Sequence, residues 1–584
     1  MATIKANLLA IRFLLLISAG ALLLNGCYTP HSKETLPNEI KSLQTTKNTA
    51  VQLTQMQSSK TLNPQHYQQV INFLLTSDAV VPPRPNVHPV STVFNREAII
   101  PPMCYTKTEG QYNPCYVCHQ NNIQPHENVM NDGDLQQAYS FSDVGMTNHW
   151  QNLFQNRASK IQQISDQDII QWVNQDNYSE LAPRLKAAGF KGYIPDIKNL
   201  QEGKAAFDSE GFAKDGSHWV AFNYKPFPST FWPTNGSTDD VMIKLPKPYR
   251  TNVNGEYSRD IYKANLAIVE AKIKNLSTIS LWPIDENLIQ KDLNQDNRLT
   301  LINEITDVSS FVGAAKDYYI ESFVYPQGTE FLHTVRYLGI NQQGEVGVSR
   351  RMKEVRYMKK WKAYPKGTLA RYYEEEAFEK EAGHLPGYTD VGDHGLDNGM
   401  GWAVQGFIEN KNGRLRAASF EENLFCMGCH NSIGSTIDKT FSFARKVDGQ
   451  AGWQYINLKG MADVPNKGEH QGEILTYLER TGGGDEFRSN DEMLANWFTQ
   501  DGKVDYAKVA GKDVYQLITP SISRALMLNK AYRVIVDEQR FLFGRDATVL
   551  APQNVYQKID NATAPTLKPE ATYSWDIRLD WNKH

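Results

Sequence analysis

The pentapeptide Cys115-Tyr116-Val117-Cys118-His119 is repeated, in the same grammar, as Cys426-Met427-Gly428-Cys429-His430. Each copy sets two thiols two residues apart and an imidazole directly after the second. Such a segment can bond at two points to one planar ligand while the imidazole binds a central metal from one side. Any other spacing misplaces a thiol or the ring. The chain has 6 Cys and 13 His in 584 residues, so two accidental copies are improbable. Whatever the fold, it has to bring these two segments to spaces that hold a flat ring.

Cys-x-x-Cys-His is the attachment sequence of c-type haem. The motifs therefore predict two covalently bound haem c groups. Cys115, Cys118, Cys426 and Cys429 would carry the thioether bonds, and His119 and His430 would be the proximal iron ligands. A zinc knuckle needs four ligands brought together, and two triplets 311 residues apart (430 − 119) fit that poorly. A thioredoxin-like pair has no need of the following His, still less twice. Distal candidates near the first motif are Met103, His126, Met130, Met146 and His149. Near the second they are His394, Met400, Met461 and His470. His333, set among apolar residues in an alternating stretch, is either a core histidine or a ligand reaching across a domain interface.

The N-terminus points to export. Lys5 and Arg12 precede the apolar run Phe13–Leu24, which is too short to span a bilayer and reads as a signal-peptide core. Leu24-Asn25-Gly26-Cys27 resembles a bacterial lipobox, in which Cys27 is lipidated and becomes the first residue. Tyr28, in place of Asp, favours the outer membrane. Haem is attached covalently after export, so the two readings support each other. Cys104 is then left without an intrachain partner. It is an inert buried thiol, a thiolate ligand or a reactive thiol.

Removing residues 1–26 leaves 558 residues (584 − 26), room for about three domains of roughly 150 residues. A net charge of −4 gives no field that would draw nucleic acid. A polar tether is expected over 27–60, a first haem region over 61–205, a β-containing middle over 206–385 and a second haem region over 386–584. Helices are expected from Pro64 to Thr76, over 158–174, 180–188, 421–427, 472–480, 489–498 and 522–532. Strands are expected over 218–224, 317–325, 329–337 and 344–349. The fold class is α+β, with two mainly helical cytochrome c-like regions flanking the β-containing middle.

Asp292-Leu-Asn294-Gln-Asp296-Asn297 resembles a calcium loop, with oxygen ligands at alternate positions. It departs from the EF-hand pattern at Asn297, where Gly is usual, and at Asn303, with Glu304 one place late. Arg350, Arg351, Lys353, Arg356, Lys359, Lys360 and Lys362 form a basic run. It reads as a solvated face or as a docking surface for an acidic redox partner or an anionic membrane.

The motifs resemble those of dihaem c-type cytochromes, and residues 1–27 resemble bacterial lipoproteins. Dihaem cytochrome c peroxidases and the dihaem oxygenases that cleave polyisoprene are similar in carrying two such motifs, some with an interhaem calcium. This chain departs from them in the separation of its motifs. The resemblance implies electron transfer in the periplasm or at the cell envelope, to a redox partner protein or a small-molecule donor or acceptor. The alternative is a peroxidase- or oxygenase-like enzyme with one open iron.

Overall fold

Strands Thr238–Lys244 (β2), Glu330–Ile340 (β5), Val346–Lys360 (β6) and Trp402–Glu409 (β9) form the centre of an eight-stranded sheet. Val220–Ala221 (β1) closes one edge and Leu396–Asp397 (β8) with Thr389–Asp390 (β7) the other. Leu415–Ala417 (β10) pairs with β9, and every pairing is antiparallel. Ile279–Asp285 (β3) and Leu301–Ile305 (β4) make a separate ribbon. The computed structural model describes residues 64–83, 97–121, 130–228, 232–385, 387–431, 433–483, 490–546 and 548–583. The expected signal peptide, Cys27, the whole of the expected tether and His126 lie outside them. Among the described residues, five helices reach eleven residues or more. They are α1 (Pro64–Thr76), α2 (Arg259–Lys274), α3 (Lys366–Glu381), α4 (Phe420–His430) and α5 (Ile522–Glu538), and none is long and apolar enough to cross a membrane.

Strand alternation gives the sheet two interiors. Met242, Leu332, Val355, Tyr357 and Phe407 face a core shared with Leu185, Phe190 and Trp219. Asp239, Val241, Phe331, His333, Arg356, Met358 and Val404 face a cavity on the other side. Helix α4 lies over that second face. It starts with a capping box, the Ser419 side chain accepting from Glu422 N while the Glu422 carboxylate accepts from Ser419 N. Glu422 also takes both terminal nitrogens of the buried Arg416, at 2.7 and 2.8 Å. Asn423 Oδ1 accepts from Gly406 N of β9 at 2.9 Å, which fixes the helix on the sheet.

The expected pair of helical cytochrome-like regions flanking a β middle is thus overturned. Strands from both sides of residue 386 join one large antiparallel sheet, and the second motif sits on a helix packed against it. The reason lies in β6 to β9. The Gly-rich stretch 395–402 hides the strands beside it, and β6 carries so many cations that it reads as surface. Several local readings hold, among them α1 with its expected bounds. The stretch 158–174 splits into Ala158–Gln162 and Asp166–Val173 because Ser165 caps the second piece. The expected strand 317–325 is irregular, with a turn at 322–323.

Much of the basic run is not a solvated face, although Arg350 is exposed. Arg351, Lys353 and Lys360 are buried. Arg351 pairs with Glu409 of β9 at 2.6 Å, and Arg356 Nε meets Glu354 at 2.9 Å. Lys360 pairs with Asp438, both completely buried, and Asp438 also accepts from Tyr325 N at 2.8 Å. Removing one partner of such a pair strands a charge in the interior. Asp438→Ala is expected to destabilise the protein by about 3–5 kcal/mol, measured by urea unfolding. A loss below about 1 kcal/mol would mean that the Lys360–Asp438 pair is not a structural clasp.

Candidate site: the two cysteine motifs at one cavity

The two motifs come together although 311 residues separate them (430 − 119). Ser435 N, just past the second motif, donates to Cys118 O at 3.0 Å. Two glycines permit the approach. A Cβ on Gly428 would lie 2.3 Å from Ile99 O, and one on Gly434 would lie 2.3 Å from Asp132 Oδ1 and 2.5 Å from Gln120 N. Cys118 and Cys104 from the first segment, and Cys426, Cys429 and His430 from the second, line one cavity. Its volume is about 250 Å³, taken as the space open to the centre of a water molecule. One water needs only ~10–15 Å³ on that scale. Much of the wall is apolar, with Phe222, Phe331, Met358, Val404 and Phe425 among its residues.

The first motif forms a single 3₁₀ turn, Cys115–Val117, held by Asn113 Oδ1 accepting from Tyr116 N at 3.0 Å. Cys115 and His119 do not line the cavity. His119 Nδ1 instead meets Asp132 Oδ2 at 3.0 Å, while Asp132 Oδ1 accepts from Gln120 N at 3.0 Å and Lys380 lies 3.6 Å away. Despite its burial, the Asp132 carboxyl is held below its usual range by His119 and Lys380. With Nδ1 turned to a carboxylate, Nε2 of His119 is the nitrogen left to bind a metal, the usual orienting arrangement for a ligating imidazole.

The second motif ends α4 and shows both thiols and the imidazole to the cavity. His430 Nδ1 is buried without a hydrogen-bond partner. Burial, with Arg356 and His333 nearby, pushes the imidazole down to about 3, so the ring is neutral. His333 lines the same cavity, from β5. It pairs across the strands with Arg356, and its Nε2 lies 3.3 Å from Asp239, which also accepts from Tyr224 Oη at 2.5 Å. Sequence reasoning singled out His333 and missed Asp239, Tyr224 and Glu354. Only the pairing of β2, β5 and β6 brings them to one face, and nothing in the local pattern announces that pairing.

Burial pushes Cys115 up to about 12 and Cys429 up to about 11, and it raises Cys118 as well. That is opposite to the lowered thiol of a reactive redox pair. Zinc needs a cluster of ligands. Among the described residues no group of three or more His, Cys, Asp or Glu side chains could hold a metal ion. In the expected calcium loop, Asp292 accepts from Gln295 N and Asn297 N, both at 2.7 Å, and Asp296 accepts from Arg298 N at 2.8 Å. The carboxylates fold back on their own backbone, with Gln295 and Asn297 in the left-handed region.

The other distal candidates scatter. Met103 lines the cavity, Met130 is buried beside Lys380, and Met400 and Met461 are core residues. Met146 packs in a satellite cluster with Cys104, His394 stacks edge-on to Tyr193, and His470 is exposed. His149 is buried away from the cavity wall with Nε2 unpartnered, and burial pushes it down to about 4. The unfolded chain takes up this proton below about pH 6.5, the folded one not until about pH 4. Stability tied to His149 is therefore lost as pH falls through that window, by roughly 3 kcal/mol in all. Urea midpoints at pH 7 and pH 4.5 should diverge less in His149→Met than in the parent. Equal divergence would mean that His149 is not the titrating group.

Residues 87–508 match a family model described as a "-like lipoprotein". A protein of Aquifex aeolicus (strain VF5), described as an uncharacterized lipoprotein, is 32% identical over 545 residues, covering 82% of this chain and 92% of its own. No solved structure matches the chain.

Proposed function

The chain belongs to that family of lipoproteins, and from this premise we propose that it is an envelope-anchored dihaem c protein that transfers electrons. Cys27 would carry the lipid, at the outer membrane and facing the periplasm. The observation that carries the reading is the convergence of both motifs, with Cys118, Cys426, Cys429 and His430 on one cavity wall. The residues fit the group. The cavity is largely apolar, the motif thiols are free of disulfides, His430 keeps a buried nitrogen free, and His119 is oriented by Asp132. When bound, haem supplies a one-electron iron couple. The chain orients the imidazoles, excludes water with the aromatic wall, and holds the motifs close enough for an electron to pass between them.

Haem staining of denaturing gels tests this. The parent, expressed with haem-attachment machinery, should stain, and the Cys118→Ala/Cys429→Ala double variant should not. Retained stain in the double variant, or an unstained parent, would sink the reading.

A second reading, a redox enzyme with one open iron, is favoured by one observation. His333, which faces the same cavity as His430, is engaged by Asp239 at 3.3 Å. Carbon monoxide added to the dithionite-reduced protein separates the two. A Soret shift of about half the haem supports an open iron. An unchanged spectrum supports electron transfer alone.

A further inference from the structure

The charges around the large cavity are not balanced. Arg356 and Arg545 share Glu354, each at 2.9 Å, and Arg445 pairs with Glu473 at 2.8 and 2.6 Å. Asp239 is taken by Tyr224 and His333. Lys353, Arg524 and Asp546 also line the cavity; Asp546 acts on Lys353 from beyond ion-pair distance, and neither cation has an ion-pair partner within 4 Å among the described residues. Lys353 Nζ donates to Gly236 O at 2.7 Å and Ser237 Oγ at 3.1 Å. Arg524 Nε donates to Thr234 O at 3.1 Å. Both cations thus gather on one loop, residues 234–237, on walls that α4 does not supply.

The backbone is shaped to place Lys353 there. Along β6, Glu354, Arg356 and Met358 face the cavity. Unbroken alternation would add Met352 to them and send Lys353 to the other core. Instead, Val335 pairs with Glu354 and the next residue, Arg336, with Met352, so Lys353 is the extra residue of a bulge. Bulges re-aim side chains in this way. Met352 is buried in the second core, and Lys353, 4% exposed, turns to the cavity. A buried ammonium held by neutral oxygens is expensive. Burial pushes Lys353 down to about 8 and Arg524 down to about 10. A carboxylate delivered by a ligand would remove that cost for both.

We infer that Lys353 and Arg524 form an anion-binding edge of the cavity, which holds the carboxylates of a planar tetrapyrrole whose other edge meets Cys426 and Cys429. This rests on the haem reading and adds the ligand's orientation. The thioether-forming edge lies at α4 and the acidic edge at the loop 234–237. It also assigns a role to two cations of the cavity wall with which no carboxylate among the described residues forms an ion pair within 4 Å.

The probe is the metal-free diacid protoporphyrin IX against its dimethyl ester, the same ring without the charges. Full-length protein made without haem-attachment machinery is titrated with each, following quenching of tryptophan fluorescence. The parent should bind the diacid at least tenfold more tightly than the ester. Lys353→Met/Arg524→Met should lose that preference, and Lys353→Arg should keep it. Equal affinities in the parent, or a preference surviving in the double variant, would overturn the inference. So would loss of the preference in Lys353→Arg, which would trace the effect to packing rather than charge. Haem staining of the exported parent separates this from the functional proposal. Stain without a diacid preference defeats the anion edge alone, and a preference without stain defeats the dihaem assignment alone.

Discussion

A strand that carries a cation at every second or third position can be buried only if each charge is met inside. β6 is such a strand, and its charges organise the molecule. Arg351 ties it to Glu409 on β9, Lys360 ties it to Asp438 beyond the second motif, and Glu354 ties it to Arg545 near the C-terminus. These partners come from segments far apart in sequence. A different register of β6 would leave several buried charges unmatched at once, so the pairs select one arrangement even where each contributes little net stability.

On that scaffold the two motifs are placed by different means. The second rides on a capped helix whose first turn is locked to Arg416 and whose flank is locked to β9. The first has no long helix of its own. It is a single turn held by side chains, Asn113 before it and Asp132 after it. The close packing of Gly428 on Ile99 and of Gly434 on Gln120 and Asp132 joins them. A methyl group at either position would force backbone apart, so the motifs form one site only because glycine stands at both.

The cavity is asymmetric in a way that suits a ring with one reactive edge and one acidic edge. Thiols and an imidazole come from α4, polar groups from the sheet, and cations without an ion-pair partner within 4 Å from the β6 bulge and α5. Membership of a lipoprotein family agrees with the Gly26-Cys27 signal and says nothing of the ring.

The motifs behind the haem proposal were legible in the sequence because they are local. Two thiols and an imidazole within five residues declare themselves at any distance from the rest of the fold, as do the lipobox and helices such as α1 with its Pro64 start. The sheet was not legible. The cationic β6 broke the apolar pattern of a strand, since its charges are cancelled by partners that only pairing reveals. His333 could be named from sequence, but not its neighbours. Asp239 and Arg356 reach it through strand register, and Lys353 reaches the cavity through one bulged residue. The sequence by itself determined the two Cys-x-x-Cys-His segments and the lipobox-like Leu24–Cys27. The tertiary structure decided that Cys118 of the first motif meets Cys426, Cys429 and His430 of the second at one cavity, and which cations of its wall lack an ion pair within 4 Å, because contact between distant segments depends on register and packing rather than on local pattern.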